Sequence, residues 1–561
     1  MDILNRIQQL KSKNNLASIY EFFHSLDNSQ QAEVWKNAKI LNEIGFACGK
    51  LAEVSIHEIP KNDIDKKRFL KEKAKYRDET KRLRERCLEI ESNNLSYLSS
   101  LAYLHYRNAL ELNQPRGRRD GNKKKEADAA TEYYNQILTI DCSRIKDLYR
   151  KSYILTEILP GTCWGNGNVT LANQKRLEGI QTFQKAIQIW EFLDCNNNQQ
   201  KLERDRCRKE YIKSLYSTGS AYCEMIINKW DEAIFALELR KIVNREDNAT
   251  YYPQDLENAN NAWQYFHKCW ETDRPDGAVA TITTTGACEG VDKLYALGKV
   301  AFAQYWILSG NGQKKDEDVS KAIEYRDRAE KYLNEALEFP WSPNKQSQKK
   351  DYIAERLARL YISKGEYEQA AEVINNHRSS KLDAYICHTL ALALMLLGKH
   401  NEAQIHLQEA IDSRGNVDRW TSHFLIDCSL LRQNYLDAAR QKFQNLAEER
   451  ITDTLLFAQA LIAYKFYKRD GMTEKKEIAV ELIKQANQNN PYRVSIGKSL
   501  EKWSKGKVHS VIPVQTRSHY QRRSLQPLEV EDYTRYEYEA FGYDEDMGID
   551  FDSYLDRYGY S

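Results

Sequence analysis

The sequence predicts an all-α protein: a solenoid of stacked helical hairpins that ends in a flexible acidic, Tyr-rich tail. Three observations lead there. Chain breakers are scarce, with 24 Gly and 10 Pro in 561 residues, well below average usage. One plan of small and apolar residues recurs along 351–413. Beyond 504 the composition changes, and charge comes in blocks with little aliphatic content.

The recurring plan is clearest in "DYIAERLARLYISKGEYEQAAEVINN" at 351–376. Leu357 and Ala358 are followed by Tyr361, then Gly365, Tyr367 and Ala370. The next stretch repeats it: Leu390 and Ala391, then Leu394, Gly398 and Ala403, with Leu407 and Ala410 behind. This spacing predicts two amphipathic helices joined by a short turn that carries Gly. Small residues such as Ala358 and Ala370 fall where two helices cross closely, and larger ones would push them apart. Tyr361 and Ile374 fill the space beside them. One hairpin cannot bury its own face, so it needs neighbours.

This plan resembles the tetratricopeptide repeat (TPR) family, which stacks 34-residue helical hairpins into a right-handed superhelix. The resemblance is specific at 351–413 and looser elsewhere. "LYSTGSAYCEMIINKWDEAI" places Gly219, Tyr222 and Ala233 on the plan, and "LYALGKVAFAQYW" places Leu297, Gly298 and Ala301. "ILNEIGFACGKL" gives Ile44 and Gly45, and "CLEIESNNLSYLSSLAYLHY" reads as a repeat junction. "VDRWTSHFLIDCSLLRQNYLDAARQKF" carries Ala439 and Phe443 in register. "DTLLFAQALIAYKFYKRD" and "EIAVELIKQANQNNPY" make the last hairpin, closed by Asn490 and Pro491. About nine hairpins, some degenerate, are expected over 1–504.

The chain divides into N-terminal hairpins at 1–160, degenerate central hairpins with loop insertions at 161–345, a C-terminal array at 346–504 and a tail at 505–561. Three segments break the period. "NQPRGRRDGNKKK" at 113–125 has six bases and one acid. The stretch 160–175, with "PGTCWGNGN", lacks the lysine and hydroxyl of a phosphate loop. The stretch 244–290 is expected to hold one helix between two loops. In "GQKKDEDVSKA", Asp318 or Ser320 reads as a helix N-cap.

In the tail, 505–523 carries five Lys or Arg and no acid, while 529–561 carries eleven Asp or Glu, two Arg and seven Tyr. Such blocks argue against a packed domain. Phe551, Tyr554, Leu555 and Tyr558 fall at i, i+3, i+4 and i+7, which would make one apolar stripe on a helix. Docking of that helix into a groove, of a partner or of this chain, is one reading. A solvated tail is the other.

Catalytic patterns are missing. The 11 Cys are scattered with no CxxC pair, which reads as reduced, mostly buried thiols of a cytoplasmic protein. His267 with Cys269, and Cys387 with His388, lack a second pair at zinc spacing. His400 and His406 read as exposed polar residues. HExxH, GxSxG and EF-hand loops are absent. No secretory signal opens the chain, and the longest apolar stretch, 384–397, is too short for a bilayer span. The net charge of +2 argues against a dominant nucleic-acid footprint over the whole surface. "KKRFLKEKAKYRDETKRLRER" at 66–86 still holds eleven bases and four acids. It reads as a nucleic-acid-facing surface or as a solvated helix laced with i, i+4 pairs.

The resemblance implies that the first helix of each hairpin lines a concave face. The positions are Tyr149, Tyr153, Tyr216, Tyr295, Lys299, Tyr352, Glu355, Arg359, Tyr385, His388 and Leu392, with Lys146, Lys213, Ser220, Phe302, Ile362, Ser363 and Met395 beside them. The Lys/Asn carboxylate clamp with which some TPR proteins hold chaperone C-termini is not matched there. A Tyr-rich groove with a few bases suits an extended or helical peptide bearing aromatic and acidic groups. The expected function is a protein-binding adaptor or scaffold with no catalytic residue, cofactor or metal. The alternatives are a subunit of a nucleic-acid-processing or regulatory complex and, more remotely, a metal- or thiol-dependent enzyme.

Overall fold

A computed structural model describes residues 3–13, 15–52, 63–112, 121–164, 169–226, 253–273, 290–309, 316–339, 346–377, 383–412, 419–489 and 494–504. All its regular structure is helical. The chain forms two compact units, one up to Ala221 and one from Tyr222 onward. No described helix is long and apolar enough to cross a membrane.

The first unit opens with α1 (Ile3–Ser12), α2 (Leu16–Ser25), α3 (Asn28–Val34) and α4 (Ala38–Leu51). Their starts are written in the sequence. Asn15 accepts the Ser18 N–H, and Asp27 forms a reciprocal capping box with Gln30. α5 (Asp63–Ile90) packs on α4, and α6 (Leu95–Leu112) pairs with α7 (Gly121–Ile140). Several bases of α5 contact neighbouring residues, although half of those described stay exposed. The Arg82 guanidinium lies 4.7 Å over Trp35, Lys75 sits 5.5 Å over Tyr20, and Arg86 Nε donates to the Trp35 carbonyl at 3.1 Å. Of the i, i+4 pairs expected there, Lys81–Glu85 is present at 3.9 Å. Lys123, Lys124 and Lys125, expected in a loop, lie in the first turns of α7.

α8 (Ile145–Tyr153) runs into one π-turn, Ile154–Ile158, and then into α9 (Leu159–Trp164). α10 (Val169–Glu191) crosses this point at Gly179. A Cβ at Gly179 would lie 2.5 Å from Thr156 Cγ2 and 3.0 Å from the Ser152 carbonyl oxygen, so only glycine permits the crossing. The break expected over 160–175 is therefore narrower: helix runs to Trp164 and resumes at Val169. α11 (Asn198–Arg206) and α12 (Arg208–Glu224) follow, and the first unit ends inside α12.

The second unit holds α13 (Pro253–Thr272), the described helix within 244–290, and then α14 (Gly290–Ser309) and α15 (Asp316–Glu338). Asp318 and Ser320 are not caps, because α15 has already begun at Asp316. Gly298 lets α15 approach α14: a Cβ there would meet Leu333 Cγ at 2.6 Å. Lys293 at the start of α14 reaches Asp273 Oδ2 at 2.6 Å, with both side chains withdrawn from solvent.

The C-terminal array runs α16 (Gln346–Lys364), α17 (Tyr367–His377), α18 (Ala384–Leu396), α19 (His400–Asp412), α20 (Arg419–Arg432), α21 (Leu436–Glu449), α22 (Asp453–Asp470), α23 (Thr473–Asn489) and α24 (Val494–Ser504). Its turns are near copies. The left-handed residue is Gly365 (φ 88°), then Gly398 (φ 81°), then Asn434 (φ 63°). In each the following N–H reaches five residues back: Glu366 to Tyr361, Lys399 to Leu394 and Tyr435 to Leu430, at 2.9 to 3.0 Å. This is the glycine-type C-cap, with asparagine as its tolerated substitute. Ala358, Ala370, Ala403, Ala439 and Phe443 are fully buried at the crossings.

Candidate peptide-binding wall

The repeat period of the second unit is also written in its side-chain hydrogen bonds. Lys364 Nζ to Glu330, Thr389 Oγ1 to Glu355, His388 Nε2 with the Ser422 hydroxyl, and Lys465 Nζ to the Leu431 carbonyl each span 34 residues. The last three join first helices of consecutive hairpins, whereas Lys364 on α16 reaches back to α15, the second helix of the preceding hairpin. A wall of first helices, α16, α18 and α20, is pinned rung by rung.

On this wall the rings of Tyr352 and Tyr385 stack with centroids 5.6 Å apart and planes 3° from parallel. Tyr352 donates its hydroxyl to Asp383 Oδ2 at 2.9 Å. Burial pushes the Tyr385 hydroxyl well above its ordinary range, so it stays protonated. Glu355 is buried, and one of its oxygens accepts from both Arg359 Nε and Thr389 Oγ1. Arg359 is half-buried and bonds through Nε alone among the described residues, which leaves both Nη groups as donors. His388 is half-buried on Ser422 at 2.8 Å.

The expected groove residues thus separate. Tyr352, Arg359, Tyr385 and His388 share the half-open wall, with Glu355 beneath them as a buried anchor. Leu392 is core at 2% exposure. Tyr295, Lys299 and Phe302 are buried along α14. In the first unit Tyr149 and Tyr153 are core rings, packed with Phe183 and Tyr106 at 5.7 and 6.2 Å. Tyr216, Lys213 and Ser220 are buried as well, and Lys146 pairs with Glu210 at 3.6 Å. Position in the repeat is common to all these residues; what differs is whether neighbouring rings close over them. Asp427 on α20, which sequence reasoning missed, is buried, and burial raises its carboxyl to about 7. The sequence also gave no signal for a donor-rich cleft between α6 and α8, apart from the hydroxyl spacing in "LSYLSSLAY".

His400 and His406, expected as exposed, are half-buried and partnered, His400 by the Ser429 hydroxyl at 2.9 Å and His406 by Glu409 at 2.9 Å. Cys48, Cys87 and Cys207 are buried thiols pushed up to about 12, mainly by desolvation. Thiols in that state are poor nucleophiles. Cys142 and Cys195 are the exposed cysteines among the described residues. The tail residues Phe551, Tyr554, Leu555 and Tyr558, with Ala233, Asn490 and Pro491, lie outside the described residues.

Residues 384–416, which cover α18, α19 and their turn, match the family model of the tetratricopeptide repeat. No curated protein matches the sequence significantly. Similar solved structures include yeast Tom70, at 13% identity over 82% of this chain and 88% of that one, with a TM-score of 0.27. A human IFIT1 dimer with PPP-AAAA is 13% identical over 86% and 81%, with a TM-score of 0.33. The APC/C hetero-tetramer Cut9–Hcn1 is 11% identical over 89% and 88%, with a TM-score of 0.28. Scores this low carry nothing about ligand or overall shape. Residues 384–416 are thus similar to a tetratricopeptide repeat, and hairpins with the same capped turn stand on either side of them.

Proposed function

We propose that the chain is a non-catalytic protein-interaction scaffold whose wall of α16 and α18 holds a peptide with aromatic and acidic groups. The observation that carries this is the pairing of the Tyr352–Tyr385 stack with the Nη groups of Arg359, which make no hydrogen bond among the described residues. Half-open tyrosine and arginine are the side chains that most often anchor bound peptides. Here they are locked before any partner arrives, by Asp383, Glu355 and the cross-repeat bond from Thr389. Preorganisation lowers the ordering cost of binding. A carboxylate on the partner would find the Arg359 fork, and an aromatic ring would extend the tyrosine stack. The chain's own segment 529–561 has that composition and is one candidate occupant. The buried thiols suit a reducing compartment, which supports a cytoplasmic location.

Panning a random peptide library on the full chain tests this. Enriched sequences should combine acids with aromatics, and Arg359→Glu should abolish their enrichment. Enrichment of basic peptides, or enrichment that survives Arg359→Glu, would reject the reading.

A further inference from the structure

In the first unit, α6 and α8 border a cleft of about 510 Å³. Its lining is rich in donors. α6 contributes Leu95 and the hydroxyl-bearing residues Ser96, Ser99, Ser100 and Tyr103, one stripe of that helix, and the α8 side contributes Arg144 and Arg150. The nearby carboxylate, Asp147, is 1% exposed and already accepts from Arg144 Nε at 2.5 Å and Ser99 Oγ at 2.9 Å. The Arg150 guanidinium lies 4.2 Å over the Tyr103 ring and makes no ion pair among the described residues. Such stacking fixes the guanidinium plane without spending its charge.

A third cation stands behind α6. Arg84 on α5 is 9% exposed, donates Nη1 to the Ser100 carbonyl at 2.6 Å and makes no ion pair among the described residues. Its Nε is buried without a hydrogen-bond partner. Burial pulls its pKa down to about 10, which still leaves it charged at neutral pH. Among the described residues, the side chains in and against the lining thus set three guanidiniums against one carboxylate that already accepts two hydrogen bonds. A buried cation with no counter-ion is costly, and an anion in the cleft would offset that cost.

We propose that this cleft binds a phosphate group, either the free ion or a monoester. A tetrahedral dianion offers three terminal oxygens, enough to engage the Arg150 guanidinium, the Nη groups of Arg144 and the rim serine Ser96 together, which a planar carboxylate does not match. The site is independent of the peptide wall, which lies in the other unit.

Isothermal titration of the full chain with inorganic phosphate, phenyl phosphate and acetate tests it. Saturable binding of either phosphate, about tenfold or more tighter than acetate, is expected. Phenyl phosphate binding at least as well as the inorganic ion would assign the site to a phosphorylated organic ligand; the inorganic ion alone would assign it to free phosphate. Ser96→Asp puts a carboxylate on the exposed rim, where an acid in the first turn of α6 favours the helix, so folding is retained. That variant should lose about tenfold or more in phosphate affinity. No saturable phosphate binding, acetate bound as tightly, or phosphate bound equally by Ser96→Asp would each overturn the proposal.

Discussion

Thr389 donates its hydroxyl to the Glu355 carboxylate at 2.7 Å, across one full repeat, with both side chains buried. The same carboxylate oxygen takes Arg359 Nε. This bond therefore couples the stacking of two hairpins to the orientation of a wall arginine. Thr389→Val keeps the shape and removes the donor. It should cost about 1–2 kcal/mol in urea unfolding, because Glu355 stays buried and loses a partner. Thr389→Ser should recover most of the loss. A Val variant as stable as the parent would show that the bond contributes nothing to stacking.

The capped turns make opposite forecasts at equivalent positions. Gly398 has φ 81° with nothing near its Cβ position, so Gly398→Ala should cost about 1 kcal/mol through backbone strain alone. Asn434 has φ 63° and already bears that strain. Asn434→Gly should therefore be neutral or raise stability by up to about 1 kcal/mol. Thermal melts of the two variants should move in opposite directions or leave Asn434→Gly unchanged.

Asp427 gives a pH dependence with a defined sign. Burial raises its carboxyl to about 7 in the fold, and the Lys442 ammonium only partly opposes this. An unfolded Asp titrates near its ordinary value of about 4. Between those values the folded state keeps a proton that the unfolded state has lost, so stability falls as pH rises from about 4 to about 7. Asp427→Asn should flatten that slope and raise stability at pH 8 by on the order of 2 kcal/mol. An unchanged slope in the variant would rule out Asp427 as its source.

Gly298 and Gly45 separate a required glycine from a permitted one. A Cβ at Gly298 would lie 2.6 Å from Leu333 Cγ and 3.1 Å from the Leu333 backbone nitrogen, whereas one at Gly45 meets ordinary contacts at 3.6 Å. Gly298→Ala should destabilise by about 1–3 kcal/mol. Gly45→Ala, inside a helix, should be stabilising by about 0.5–1 kcal/mol. Differential scanning calorimetry reads both.

Periodicity made the array legible. Leu357, Ala358 and Gly365 and their counterparts after residue 389 predict helix, crossing and turn, because packing and backbone geometry are local consequences of residue type. The third turn was hidden, since Asn434 does the work of glycine. The wall was only partly legible. Repeat position marks which residues belong to a first helix, but exposure depends on what other helices lay over it. Tyr149 and Tyr352 hold like positions in the sequence reading, yet one is sealed against Phe183 and Tyr153 and the other is half open. The cleft of Arg144 and Arg150 depends on how α6 meets α8, a relation that no single segment encodes.

The wall itself is tested most directly by fluorescence anisotropy with a labelled peptide of residues 544–561, "DEDMGIDFDSYLDRYGYS". It is titrated into the chain with residues 524–561 removed, so that no covalent tail competes. Saturable binding is expected, weakened about tenfold or more by Arg359→Glu and by Tyr385→Leu, and unaffected by Ile405→Ser on an exposed face of α19. No saturable binding, or equal affinity for the parent and Arg359→Glu, would contradict the assignment of α16 and α18 as the binding wall.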